Sequence, residues 1–198
     1  MDNWTISKVL DNFNLNSGFV IFDLGTHLGQ ELDAFLPSGA EVHSFEPHPK
    51  LAKYVKEKFK GNNNLFFNEC AVWLKNEVKD FYFKKDASSS WMSDDGSSLL
   101  KEKQNISGKY FTQVKCIDVS EYIFNLDKQI DIMKLDIEGV EYHIIKHLIE
   151  TGAINMIDNL FFEDHSRRFS QDCFEYYQNK KFVFERIDNL KTNFGTWQ

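Results

Sequence analysis

The chain has 198 residues, 42% hydrophobic and 27% charged, with a formal net charge of −7. That length suits one α/β domain with a real core, so residues 1–198 are read as a single domain. The acidic balance and the lack of a basic patch speak against nucleic acid as the main partner. The lysine runs Lys53–Lys60 and Lys101–Lys103 are mixed with Glu and read as solvated helix faces. Cys70, Cys116 and Cys173 are odd in number, far apart and without a CxxC pair, which excludes a disulfide framework or a zinc knuckle. Cys70 and Cys116 lie in apolar, strand-like stretches and are expected in a core that 19 Phe make rich in aromatics. Met1 to Asn16 has neither the basic nor the apolar region of a signal peptide, and no apolar run reaches membrane-spanning length. A cytoplasmic location is the resulting expectation.

In chain order the pattern alternates between strands and helices, which predicts a mostly parallel sheet with helices on both faces. A short helix is expected from Trp4 to Phe13, making residues 1–17 an N-terminal helical extension. Phe19 to Leu24 reads as a buried parallel strand, followed by a helix from Gly29 to Leu36 that Pro37-Ser-Gly39 ends. Glu41 to Glu46 is the second strand, Lys50 to Lys60 a helix, and Leu65 to Val72 the third strand. Val78 to Lys84 alternates like a half-exposed strand. Asp86 to Gly108 is irregular and rich in Ser, Asp and Gly, and residues 86–109 are expected to form a lid loop. Next come a strand over Tyr110 to Cys116, a helix over Val119 to Phe124 and a central strand over Ile130 to Asp136. A helix over Glu141 to Thr151 is capped by Gly152. A strand over Ile157 to Glu163, a helix over Gln171 to Lys180 and a last strand over Phe182 to Ile187 finish the chain.

Three motifs fall at strand ends, where open α/β sheets bind ligands. The first is Asp23-Leu-Gly25-Thr-His27-Leu-Gly29. Glycines there let a backbone approach a ligand, and the following helix start offers N–H donors. The spacing is G-x-x-x-G and not G-x-G-x-x-G, which counts against a dinucleotide pyrophosphate; an ordinary tight strand-to-helix turn would look the same. The second is Phe45-Glu46-Pro47, whose acid is well placed to accept from two ribose hydroxyls. The third is Lys134-Leu-Asp136-Ile-Glu138-Gly139-Val-Glu141. Carboxylates so close repel unless a cation is near. A cationic ligand, Lys134 or a metal would each supply it, and Glu138 and Glu141 also suit the N-terminus of the next helix.

These motifs, with Ala71-Val72 and Ser97-Ser-Leu99 between the second and third, resemble the FkbM family of methyltransferases over roughly residues 19 to 165. The resemblance implies a Rossmann-like class I methyltransferase fold and S-adenosylmethionine as cofactor. It also implies an acceptor hydroxyl on a sugar, glycan or polyketide. By the same resemblance Asp23, Gly25 and Gly29 would line the methionine end, with His27 where the family often has Asn. Glu46 would hold the ribose, Ala71 would lie beside the adenine, and Asp136 would lie near the reacting methyl. His165, in Glu163-Asp-His165, follows a strand and matches the family's frequent Glu-x-His.

A sugar hydroxyl is a weak nucleophile and gains from a positioned base. His165 is the first candidate, with Asp136 and Glu138 behind it; a metal bridging Asp136 and the acceptor is a further option that nothing in the sequence requires. His143 and His147, four apart on a helix, lack a third ligand and read as an exposed face. Two rival readings remain, a nicotinamide-dependent oxidoreductase and a methyltransferase-like binding protein without turnover. The partner is expected to be a small-molecule or glycan acceptor.

Overall fold

The computed structural model describes residues 1–85 and 96–198. Seven strands form the central sheet: β1 (Asp2–Trp4), β2 (Val20–Leu24), β3 (Glu41–Phe45), β4 (Leu65–Asn68), β8 (Ile130–Leu135), β9 (Ile157–Phe162) and β10 (Asn193–Trp197). Their order is β1-β10-β9-β8-β2-β3-β4, with every neighbouring pair parallel. A second sheet of three strands is made by β5 (Ala71–Trp73), β6 (Glu77–Lys84) and β7 (Ile106–Asp118), with β7 in the middle. The architecture is α/β and Rossmann-like.

Strand β2 shows why the sheet has two covered faces. All five of its residues are buried, and they alternate between two cores. Val20, Phe22 and Leu24 face one core with α4 (Val119–Leu126), α5 (Glu141–Thr151), α6 (Phe174–Phe184) and the small sheet. Ile21 faces the other with α1 (Ile6–Asn12), α2 (Gln30–Phe35) and α3 (Pro49–Lys58). Each fully buried aliphatic or Phe side chain here stabilises by about 1.5–3 kcal/mol before chain entropy is counted. Helix starts follow local chemistry: Thr5, His48 and Asp118 cap α1, α3 and α4 by accepting backbone N–H bonds. Gly152 closes α5 at φ +83, as expected. Cys70 and Cys116 are buried free thiols.

Several boundaries differ from the sequence pattern. The N-terminal stretch begins as an edge strand, β1, before its helix. Leu65 to Val72 is two strands, because Asn68 ends the pairing with Phe45 and Ala71 begins another with Cys116. The polar pair Asn68-Glu69 falls at that point, but a pair of polar residues in a strand-like stretch does not by itself announce a change of sheet. Strand β7 starts at Ile106, so the end of the expected lid is strand; residues 86–95 of that lid lie outside the described residues. Phe182 to Ile187 is not a strand. It is the end of α6 and a 3-10 turn, since Tyr176, Asn179 and Val183 at helical spacing are the buried positions. The last strand is β10 instead. On α5, His143 is buried and stacks on Trp73, and His147 Nε2 lies 2.9 Å from Asp118 Oδ1, so this face is not exposed. Among the described residues, no helix is long and apolar enough to cross a membrane.

Chain order reverses between β2 and β8. From β2 the chain steps outward to β3 and β4, and from β8 it steps the other way to β9 and β10, with the N-terminal β1 on the outer edge beyond β10. The crevice beyond the C-terminal ends of β2 and β8 is the switch point of the sheet, where ligands of such folds bind.

Candidate active site

The loop leaving β2 is held by its neighbours on both sides. Gly25 N and Thr26 N donate to the Phe45 carbonyl at 3.0 and 3.2 Å, and Asp136 N donates to the Leu24 carbonyl at 3.0 Å. Gly25 has φ +87, and a Cβ there would sit 1.8 Å from the Asp136 carbonyl oxygen. Only glycine lets these two strand ends meet. Gly29, at φ +75, opens α2 and packs against the Phe59 ring, where a Cβ would come within 2.6 Å.

Glu46 is buried at the end of β3, and its carboxylate ties two loops together. Oε2 accepts from His27 N at 2.9 Å and Oε1 accepts from His48 N at 2.7 Å. Burial pushes its carboxyl up to about 7, against the pull of those two N–H donors. Each oxygen keeps a lone pair for a further donor.

Lys134 is the cation that the carboxylate motif demands. Its buried Nζ donates to the Gly25 carbonyl at 2.8 Å and lies 3.2 Å from Asp23 Oδ1 and 3.8 Å from Asp136 Oδ2. Burial opposes its charge, but Asp23 and Asp136 outweigh that and keep it protonated. Burial likewise pushes Asp23 up to about 6, with Lys134 pulling the other way.

The turn after β8 carries the rest. Glu138 adopts φ +59, uncommon for a residue with a side chain. Glu141 is fully buried and folds back on that turn. Its Oε1 accepts from Ile137 N at 3.0 Å, its Oε2 accepts from Gly139 N at 3.0 Å, and His165 Nδ1 lies 3.0 Å from Oε1. On the other side of the ring, His165 Nε2 lies 3.2 Å from Glu138 Oε2, 3.5 Å from Glu163 Oε1 and 3.9 Å from Asp136 Oδ1. Burial would lower the imidazole pKa, but Glu141, Glu138 and Glu163 raise it to about 9. Burial also raises the Glu138 carboxyl. Asp136, Glu141 and His165 bring one potential ligand atom each within 4.8 Å of one another. Glu141 is already engaged by two backbone N–H groups and the imidazole, so the group reads as a hydrogen-bonded ion cluster.

A cavity of about 360 Å³ opens over these loops, within the range of small-molecule sites. Gly25, His27, Glu46, Ala71, Lys134, Asp136 and Glu138 line it. Phe45, Leu51, Val72, Phe81 and Leu99 make one end apolar. Asp23, Gly29 and His165 stand behind the lining: Asp23 under Lys134, Gly29 at the start of α2, and His165 behind Glu138. The structure thus brings most of the sequence-derived residues around one cavity.

Residues 23–193 match the family model of the methyltransferase FkbM domain. The chain belongs to the FkbM methyltransferase family. No curated protein matches it. As an FkbM domain it is a methyltransferase whose family match runs from Asp23, within β2, to the start of β10. Two contributors in this FkbM site were not read as such from sequence. Lys103 sits in a run taken for a solvated face, yet it is buried against Glu138 and the Gly96 carbonyl. Glu141 reads as a helix-start acid, and only the fold reveals it as the partner of His165. The spacing of Glu141 two residues after Gly139 was the available signal.

Proposed function

We propose that this methyltransferase uses S-adenosylmethionine to methylate a hydroxyl on a sugar or glycan. The observation that carries the reading is Glu46. It is a buried carboxylate on the cavity wall, between the glycine loop and an apolar end formed by Phe45, Leu51, Ala71, Val72 and Phe81. A nucleoside needs that combination, an acceptor for two ribose hydroxyls beside a slot for a flat base. The donor set fits the whole cofactor: Asp136 and the Gly25 loop would face its amino-acid end, with Ala71 beside the base.

When bound, S-adenosylmethionine supplies a methyl group already activated on a sulfonium. The protein's part is to align the acceptor oxygen and to take its proton. Glu138 is one of the carboxylates that line the cavity, and its raised pKa makes it a better proton acceptor than an ordinary Glu. His165 is proposed as its charged partner, because an imidazole held near 9 is protonated at neutral pH and does not line the cavity. As the acceptor oxygen gains the methyl, its proton passes to Glu138. Asp136, 3.8 Å from the Lys134 ammonium, is proposed to face the cationic end of the cofactor.

Calorimetric titration with S-adenosylhomocysteine and with NAD tests the reading. Binding of the first, lost in Glu46→Ala, is the expected result. Binding of NAD alone would favour an oxidoreductase. Screening sugars and glycan fragments for methyl transfer then tests the acceptor.

A further inference from the structure

Lys103 is the buried ammonium that the preceding reading leaves without a task. Its side chain is fully buried, its Nζ donates to the Gly96 carbonyl at 2.9 Å, and it is ion-paired with Glu138 Oε2. A buried ammonium is costly unless its partners repay the lost hydration, so its placement is specific.

The same stretch touches the turn after β8 a second time. Ser98 Oγ donates to the Glu138 backbone carbonyl at 2.8 Å. Gly96, Ser97 and Leu99 line the cavity. The stretch is itself anchored: Ser98 and Tyr82 exchange backbone hydrogen bonds of 2.8 and 2.9 Å, and Gln104 N donates to the Arg168 carbonyl at 2.9 Å. Glu138 is therefore gripped at both its carbonyl and its carboxylate by one wall of the cavity.

We propose that Lys103 is a positioning residue: it fixes the Glu138 carboxylate, in ionised form, on the acceptor side of the cavity and locks the wall Gly96–Leu99 onto the turn that carries it. The proposal rests on the reading of Glu138 as the proton acceptor. The charged groups around that carboxylate come from three elements. Lys103 belongs to the wall, Asp136 to its own turn, and His165 to the segment after β9, with Glu141 and Glu163 acting on it through His165. Of these, Lys103 is the cation that also ties Glu138 to the cavity wall, through the Gly96 carbonyl. A neutral side chain of similar length would leave His165 as its remaining positive neighbour.

The test follows the Glu138 carboxyl by carbon-13 NMR in glutamate-labelled protein, with the signal assigned by Glu138→Gln. Lys103→Met is expected to move the titration midpoint of Glu138 up by about one unit or more, and Lys103→Arg to restore most of it. An unchanged midpoint in a folded Lys103→Met protein, or no recovery with Arg, overturns the proposal. If the Met variant does not fold, the wild type decides: a slowly exchanging Lys103 ammonium in a nitrogen-15 spectrum supports the grip, and a freely exchanging one overturns it. Failure of the wild type to bind S-adenosylhomocysteine would overturn the cofactor reading alone, since the Glu138 titration is read independently of it.

Discussion

Glu141 Oε1 lies 3.0 Å from His165 Nδ1, with both side chains buried. The carboxylate is fixed by the turn it caps, so it fixes the ring, and the ring in turn offers Nε2 to Glu138. Two residues 24 apart thus join the turn after β8 to the segment after β9.

The first prediction follows from that pair. A His held near 9 in the fold, against about 6.5 in the unfolded chain, binds its proton more tightly when folded. Its stabilisation is complete below about pH 6.5, and it is lost as pH rises through about 9. Its full size is on the order of 3 kcal/mol. Urea unfolding of wild type and His165→Gln should therefore diverge most in mildly acidic solution and converge in alkali. A gap that widens toward high pH would contradict the ion cluster.

Glu46 gives stability the same sign of pH dependence in a lower window, and gives cofactor affinity the opposite one. Its carboxyl, raised to about 7 by burial, has its ordinary value near 4.5 in the unfolded chain. Ionising it in the empty cavity therefore costs stability as pH climbs between those values. Ribose hydroxyls would favour the ionised form, so S-adenosylhomocysteine affinity should rise from about pH 6 to about pH 8. Glu46→Gln should bind more weakly, by about 1.5–3 kcal/mol, and lose the pH dependence. Calorimetry at several pH values checks both; wild-type affinity that is flat with pH would remove Glu46 from the ribose.

Gly25 and Gly61 make a matched pair. Both have positive φ, at +87 and +84, but a Cβ on Gly61 meets nothing within 4 Å, whereas on Gly25 it meets the Asp136 carbonyl oxygen at 1.8 Å. Gly61→Ala should cost only about 1 kcal/mol of backbone strain. Gly25→Ala should cost about 2–5 kcal/mol, strain and overpacking together. Thermal melts rank the two, and equal losses would mean that the close approach does not limit the loop.

Lys134→Met should destabilise by about 3–5 kcal/mol, because it strands the buried Asp23 carboxylate. Adding Asp23→Asn should recover part of that loss. Chemical denaturation of the two single variants and the double variant completes the cycle, and strictly additive losses would show that the pair is not coupled.

The chain made its cavity legible because chemistry was concentrated at strand ends. Gly25, Glu46 and Asp136 could each be found by reading where an apolar run stops. The sheet order was not written locally: Asn68-Glu69 marks a break in Leu65 to Val72 but not which sheet each half joins, and β10 hides in a short, Gly-containing segment whose partners are far away. Lys103 was hidden for a related reason. A lysine beside a glutamate reads as solvent-facing, and only tertiary structure brings Glu138 and the Gly96 carbonyl to its ammonium. His165 was found by its position after a strand. Its charge state depended on carboxylates from three different places in the chain.

The outer edge of the sheet has a kinetic meaning. Thr196 Oγ1 donates to Asn3 Oδ1 across 193 residues of sequence, and Trp4 stacks on Phe161 with ring centroids 4.5 Å apart. Contacts of that separation carry the largest loop-closure cost until the intervening strands have formed and shortened the effective loop. Pairing of β1 with β10 is therefore expected late in refolding, and before it occurs β10 would present an open backbone edge to other chains.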